Sequence, residues 1–233
     1  MHLCTMAIIL CIETSGTICS VALFNESKTC LGFLKEDASF KHAAVATVLI
    51  DKLVTASNLV IGDIDAVALS SGPGSYTGLR IGTSVAKGLC YALNIPLISI
   101  NSLTLMASGF IESNDNLDGQ LICPAIDARR MEIFTAIYNP DLTCAFTPAP
   151  LVVTTESFSE LLTENNIHIF GSGAEKSYKD INHPNLQWHV DDFLSARFMG
   201  QLAVNKWKAK TFEDTAYFEP DYLKAFHTTA KRK

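Results

Sequence analysis

Between Leu69 and Gly82 the chain reads LSSGPGSYTGLRIG, with Gly72, Gly74 and Gly78 inside seven positions. A glycine-rich loop that opens a helix is a natural seat for an anion: glycine lets the backbone come close, and the first helical N–H groups lack partners. Gly74, Ser75 and Arg80 are therefore candidate phosphate contacts. Glu13 and Ser15, in the polar turn after the first apolar run, and Asp127, at the end of another, are candidate companions for a phosphate and its magnesium. Gly171 and Gly173 frame a second turn of the same kind. Each has an ordinary alternative. Arg80 in a first helical turn can bond a local carbonyl or carboxylate, and Glu13-Thr14-Ser15 can be a plain hairpin turn. The loop is not a Walker A motif, because Leu79-Arg80 stand where Lys and Ser/Thr are required, and its third glycine falls one position late for GxGxxG.

Bond-breaking machinery is not legible. His42 is followed four residues on by Ala46, where a metal-binding pair on one helical face needs a second histidine. His168, His183, His189 and His227 are scattered and are expected to be lone, exposed residues. The seven cysteines form no CxxC pair, and Cys11, Cys19 and Cys123 lie in apolar runs as small core residues, which points to a reducing cytoplasm. No metal site and no Ser/His/Asp or Cys/His set can be assembled. The chain reads as one built to bind.

The elements that would hold these residues begin with three short strands at 7–12, 18–24 and 30–35. A helix at 41–57, a strand at 64–70, the glycine loop, a small-residue helix at 77–93 and a strand at 96–100 follow. An antiparallel meander continued by helix crossovers is a mixed sheet, resembling the ribonuclease-H-like unit of actin and the sugar kinases. The expected fold is α/β, with two such lobes and the second reduced: 1–102, and 103–233 with the chain end returning to the first lobe. In the second half helices are expected at 103–111, 157–165 and 194–208. A hairpin is expected from 120–126 and 132–138, an edge strand at 147–153 interrupted by Pro148 and Pro150, and a strand at 167–170. No internal repeat stands out.

Two helices carry more apolar surface than one sheet can cover. Val45, Leu49 and Leu53 form one stripe of the first, and Ala46, Ile50 and Val54 another. Gly78, Gly82 and Ala86 form a ridge on the second, flanked by Val85 and Leu89. These residues are expected to meet the equivalent helices of another subunit; the alternative is a second layer of the same chain.

Composition agrees with an associating protein. Hydrophobic residues make up 48% of the 233 and charged residues only 18%, so some apolar surface should be covered by a partner. A net charge of −6 argues against gripping nucleic acid over a broad face, and the only basic run, Lys231-Arg232-Lys233, is expected to be solvated. There is no basic n-region before the first apolar run, no run of membrane-spanning length, and residues 1–5 are expected to be an extension.

IETSGTICSVAL (12–23), SSGPGSYTGLRIGTSVAKGL (70–89), ISINSLTLMA (98–107) and AIDARRMEIFTAIY (125–138) closely resemble the bacterial TsaB family, and PDYLKA (220–225) is similar to its C-terminal PxYLR element. The resemblance implies a non-catalytic subunit of the machinery that makes threonylcarbamoyladenosine at position 37 of tRNAs, with no protease activity. It implies two actin-like lobes and a heterodimer with the catalytic paralogue TsaD through the first-lobe helices. It further implies a TsaE-type ATPase in the complex, homodimers through the same face, and only indirect contact with tRNA. No cofactor is expected to be tightly bound, with ATP or ADP possible at the TsaD interface. The catalytic subunit's HxxxH metal motif falls here on His42 and Ala46, and Glu13 stands where many members have Asp. The competing readings are a small ATP-binding kinase or ATPase of the actin-like superfamily, and a metallopeptidase.

Overall fold

The computed structural model describes residues 6–37 and 42–224. The expected N-terminal extension, the basic tail and His227 lie outside them. The first sheet is built from β1 (Ile8–Glu13), β2 (Ile18–Asn25), β3 (Cys30–Asp37), β4 (Ala66–Gly72) and β5 (Leu97–Asn101), in the order β3-β2-β1-β4-β5. β1 is central, antiparallel to β2 (Ile12 opposite Val21) and parallel to β4 (Cys11 opposite Ala68). Strand periodicity sends Leu10 and Ile12 to one face and Ile9 and Cys11 to the other, and both faces are buried. On the first face α1 (His42–Ala56) and α2 (Tyr76–Leu93) pack over Leu10, Ile12, Val21 and Val67. On the second, α3 (Ser102–Ser113) meets α6 (Gly200–Lys208), which arrives from the end of the chain and sets Ala203 and Val204 over Ile9, Ala22 and Ile98. Glu213 N–H then donates to Leu97 O at 2.9 Å.

The second sheet comprises β6 (Gln120–Asp127), β7 (Glu132–Tyr138), β8 (Cys144–Val152), β9 (Asn166–Phe170) and β10 (Leu186–Trp188), ordered β10-β9-β6-β7-β8. α4 (Ser159–Glu164) and α5 (Ala174–Ile181) make its crossovers. This is the first lobe's topology over again, a meander of three strands followed by two helix–strand units, so the chain does contain a structural duplication. The two lobes expected are thus both present, and no repeat stands out in the sequence because α4 and α5 have only 6 and 8 residues against 15 and 18 in α1 and α2. Both α5 and β10 escaped the sequence reading. The expected helix at 194–208 is also corrected. A 3-10 turn at Ala196–Phe198, capped by the Ser195 hydroxyl, precedes α6, and Gly200 lies so close to the Phe24 ring that a Cβ there would overlap it. Among the described residues no helix is long and apolar enough to cross a membrane.

Candidate functional site

Glu13 ends β1, and its side chain is completely buried. Its Oε1 accepts from the Ser15 N–H at 2.6 Å, the Ser15 hydroxyl at 2.5 Å and the Ser70 hydroxyl at 3.0 Å. Ser15 Oγ is also 3.3 Å from Ser102 Oγ at the start of α3. Glu13 Oε2 is buried and has no hydrogen-bond partner among the described residues. Burial pushes this carboxyl up to about 7; the bonds from Ser15 and Ser70 oppose the rise, and the Asp192 carboxylate adds to it.

The close approach forecast by the glycines is real, but the chain makes it itself. Thr14 Oγ1 donates to Gly78 O at 2.8 Å, and Ser75 N–H donates to Ser15 O at 2.7 Å. A Cβ at Gly74 would fall 2.6 Å from Ser15 Cβ, and Cβ atoms at Gly78 and Gly82 would overlap Thr14 O and Thr14 Oγ1. The Ser75 hydroxyl caps α2 by accepting from Gly78 N–H. From the outside the C-terminal segment closes over the same loop. Asp221 N–H donates to Ser71 O at 2.7 Å, and Asp221 O lies where a Gly72 side chain would be. Arg80 lies 4.2 Å over the Tyr76 ring and bonds Tyr222, whose own ring is 5.1 Å from Tyr76. Bonds within the chain thus engage Gly74, Ser75 and Arg80, and the Glu13–Ser15 turn docks onto α2.

The second turn behaves alike. Gly171 (φ +93°) and Gly173 press on β6: a Gly171 Cβ would sit 2.7 Å from Ala125 O, and a Gly173 Cβ 2.7 Å from Ile133 Cγ2. Asp127 is exposed; its Oδ1 accepts from Arg129 N–H at 2.9 Å and pairs with Lys176, and against the rise that partial desolvation would cause, these bonds and the Lys176 and Arg129 charges hold it below the usual carboxylate range. Glu13 and Asp127 occupy matching strand ends of the two sheets, yet among the described residues they share no hydrogen-bond partner. The β6–β7 turn itself is costly. Arg129 (φ 72°) and Arg130 (φ 52°) are consecutive left-handed residues without being glycine or asparagine, about 1 kcal/mol or more each.

The histidines also need correction. His168 is buried, with Nδ1 2.8 Å from His189 Nε2 and Nε2 bonded to Gln120, and it packs beside the Phe110 ring. Burial lowers the pKa of both rings. This pairing joins residues 21 positions apart through the β9–β10 register, which no spacing rule reveals.

The helix pair divides in two. Val45, Ala46, Leu49 and Leu53 of α1, and Ala86 of α2, are buried in the chain's own first core, while Gly78 and Gly82 are spent on Thr14. For these seven the same-chain alternative holds, since one sheet face absorbs both stripes of a helix that sits deep on it. Ile50 and Val54 are buried in that same core, with Val85 and Leu89 packed against it, and the outer edges of these four form the floor of an open groove of about 590 Å³ between α1 and α2. Thr47, Asp51, Thr55, Val60, Ser84 and Gly88 form its exposed margin. Val48, 47% exposed on α1, extends the apolar surface beside it.

Residues 18–225 match the family described as "TsaD: tRNA N6-adenosine threonylcarbamoyltransferase". The tRNA threonylcarbamoyladenosine biosynthesis protein TsaB of Haemophilus influenzae is 29% identical, the match covering 93% of each chain. The Bacillus subtilis protein of the same name is 29% identical over 96% of each. Among solved structures, YeaZ from Pseudomonas aeruginosa superposes with a TM-score of 0.76 at 23% identity, covering 94% of this chain and 100% of that one, and so shares the fold.

Proposed function

The chain belongs to the family of TsaD- and TsaB-type proteins, and we propose that within it the chain is a non-catalytic scaffold subunit for threonylcarbamoylation of adenosine 37 in tRNAs that read codons beginning with A. It docks a TsaD-type catalytic subunit in the cytoplasm, and a TsaE-type ATPase completes the assembly. A second copy of the chain takes the same face when the catalytic subunit is absent. ATP or ADP, where bound, lies at the boundary with the catalytic subunit.

One observation carries this reading: the α1–α2 groove is apolar, open and bordered by a glycine the chain does not need for itself. Gly88 stands in the interior of α2, where glycine costs about 1 kcal/mol against alanine. A Cβ there would meet nothing within 4 Å, unlike those at Gly74, Gly78 and Gly82. A glycine kept on an exposed helical face with free space above it is explained by another backbone crossing close over it. The rest of the site supports a passive role. Ala46, at the position of the second histidine of HxxxH, is packed into the first core, and the glycine loop is filled from both sides by its own chain.

The test is association with the organism's TsaD-type protein, followed by size-exclusion chromatography and calorimetry. Gly88→Leu and Thr55→Arg fill or charge the groove from exposed positions, so they should abolish binding and complex-dependent tRNA modification without lowering thermal stability. Undiminished binding by both variants would refute the docking face. Phosphotransfer by the purified chain alone would favour the kinase reading instead.

A further inference from the structure

The β6–β7 turn presents two exposed guanidiniums, Arg129 with the Asp127 carboxylate near enough to feel its charge and neither in an ion pair among the described residues. Lys176 Nζ donates to Asp127, to Arg130 O at 2.8 Å and to Glu132 O at 2.7 Å, using its three protons to pin the turn from beneath. Lys224 pairs with Glu132. Both carboxylates of the hairpin are thereby matched by lysines, whereas Arg129 and Arg130 are exposed and make no ion pair among the described residues. The chain has five arginines in all and a net charge of −6, so two adjacent exposed ones on a turn that disfavours them concentrate positive charge at one point of an acidic protein. Asparagine or glycine would close the same turn with less strain. Planar, always-charged forks held on a rigid tip suit phosphate oxygens.

We propose that the Arg129–Arg130 turn is a phosphate-backbone contact for tRNA, so that this subunit touches the RNA directly instead of only through its partner. The choice of RNA over an acidic protein rests on the preceding reading, in which the assembly acts on tRNA. A point contact of this kind needs no basic face and is compatible with the acidic chain. It carries no sequence preference of its own and sets register and affinity.

The experiment compares the wild-type chain with the double variant Arg129→Gly/Arg130→Gly, each in complex with the catalytic subunit. Glycine is at home at both φ values, so the turn and the fold are kept while the charges are removed. Fluorescence anisotropy with labelled tRNA is read from 50 to 200 mM salt, and assembly of the two subunits is measured separately by calorimetry. The expected result is tRNA affinity roughly 10-fold or more weaker at low salt and a slope of log K against log salt shallower by about 1 to 2, with assembly unchanged. Arg129→Lys/Arg130→Lys should recover most of the slope. An unchanged tRNA affinity and slope would overturn the proposal. So would a variant that loses its protein partner while the RNA term stays put, which would assign the turn to an acidic protein surface. Failure of wild-type subunits to assemble would count against the scaffold reading, and tRNA binding by the chain alone would then decide this one.

Discussion

Glu13→Gln should change the pH dependence of stability in a calculable way. In the folded chain burial raises Glu13 from its ordinary 4.5 to about 7. The native state therefore holds a proton that the unfolded chain releases, and stability falls as pH rises through that interval. Above pH 7 the full penalty on the buried carboxylate is about 3 kcal/mol. Between pH 5 and pH 8 the swing is about 2 to 3 kcal/mol, or roughly 4–12 °C in Tm for a chain of this size. Other groups titrate in the same range. His168 and His189 have lowered pKa values and withdraw stability as pH falls below 6.5, the opposite sense. The difference between variant and wild type cancels them. Glutamine keeps an acceptor for Ser15 and Ser70 but strands an amide where Oε2 now lies, so the variant should be the weaker at pH 5 and the stronger at pH 8. Thermal unfolding followed by circular dichroism at both pH values is the assay. Parallel offsets, with the same sign at pH 5 and pH 8, would refute the buried, proton-bearing carboxyl.

Gly78→Ala pushes a methyl into the Thr14 carbonyl and should cost about 1–3 kcal/mol, whereas Gly88→Ala, with open space around it, should gain up to about 1 kcal/mol; equal effects in thermal melts would contradict the two assignments. Alkylation at pH 8 with peptide mapping should label the exposed Cys30 and Cys144 and spare Cys11, Cys19 and Cys123, whose thiols burial pushes far up. Rapid labelling of Cys11 or Cys123 in native protein would speak against the packed sheets. The His168 midpoint in an NMR titration should lie below the ordinary 6.5, because burial and then the His189 charge disfavour the imidazolium, and a midpoint at or above 6.5 would contradict its burial beside His189.

The first lobe was legible because its strands are short apolar runs between polar turns and its helices are long enough for periodicity to show. The glycine loop announced a close approach, but its occupants, Thr14, Ser15 and Asp221, come from 57 or more positions away and leave no local signal. The second lobe was expected from the first lobe's likeness to a two-lobed fold, not from its own pattern, because a six-residue helix and the three-residue β10 carry almost no periodic information. Periodicity shows two apolar stripes on α1 but cannot say how much of them one sheet face absorbs. Both stripes of α1, Ile50 and Val54 included, went to the core, and the groove is floored by the outer edges of Ile50, Val54, Val85 and Leu89. Ile50 is itself 4% exposed, so charging it would disturb the fold along with any interface. Gly88 is the sharper probe, a helical glycine whose Cβ would meet nothing within 4 Å among the described residues.

The most direct measurement is the dissociation constant of this chain with the organism's TsaD-type subunit, taken for wild type and Gly88→Leu under identical conditions. The scaffold account predicts specific binding by wild type and its loss in a variant that melts no lower than the parent. Equal affinities, or no association by wild type at micromolar concentrations, would contradict it.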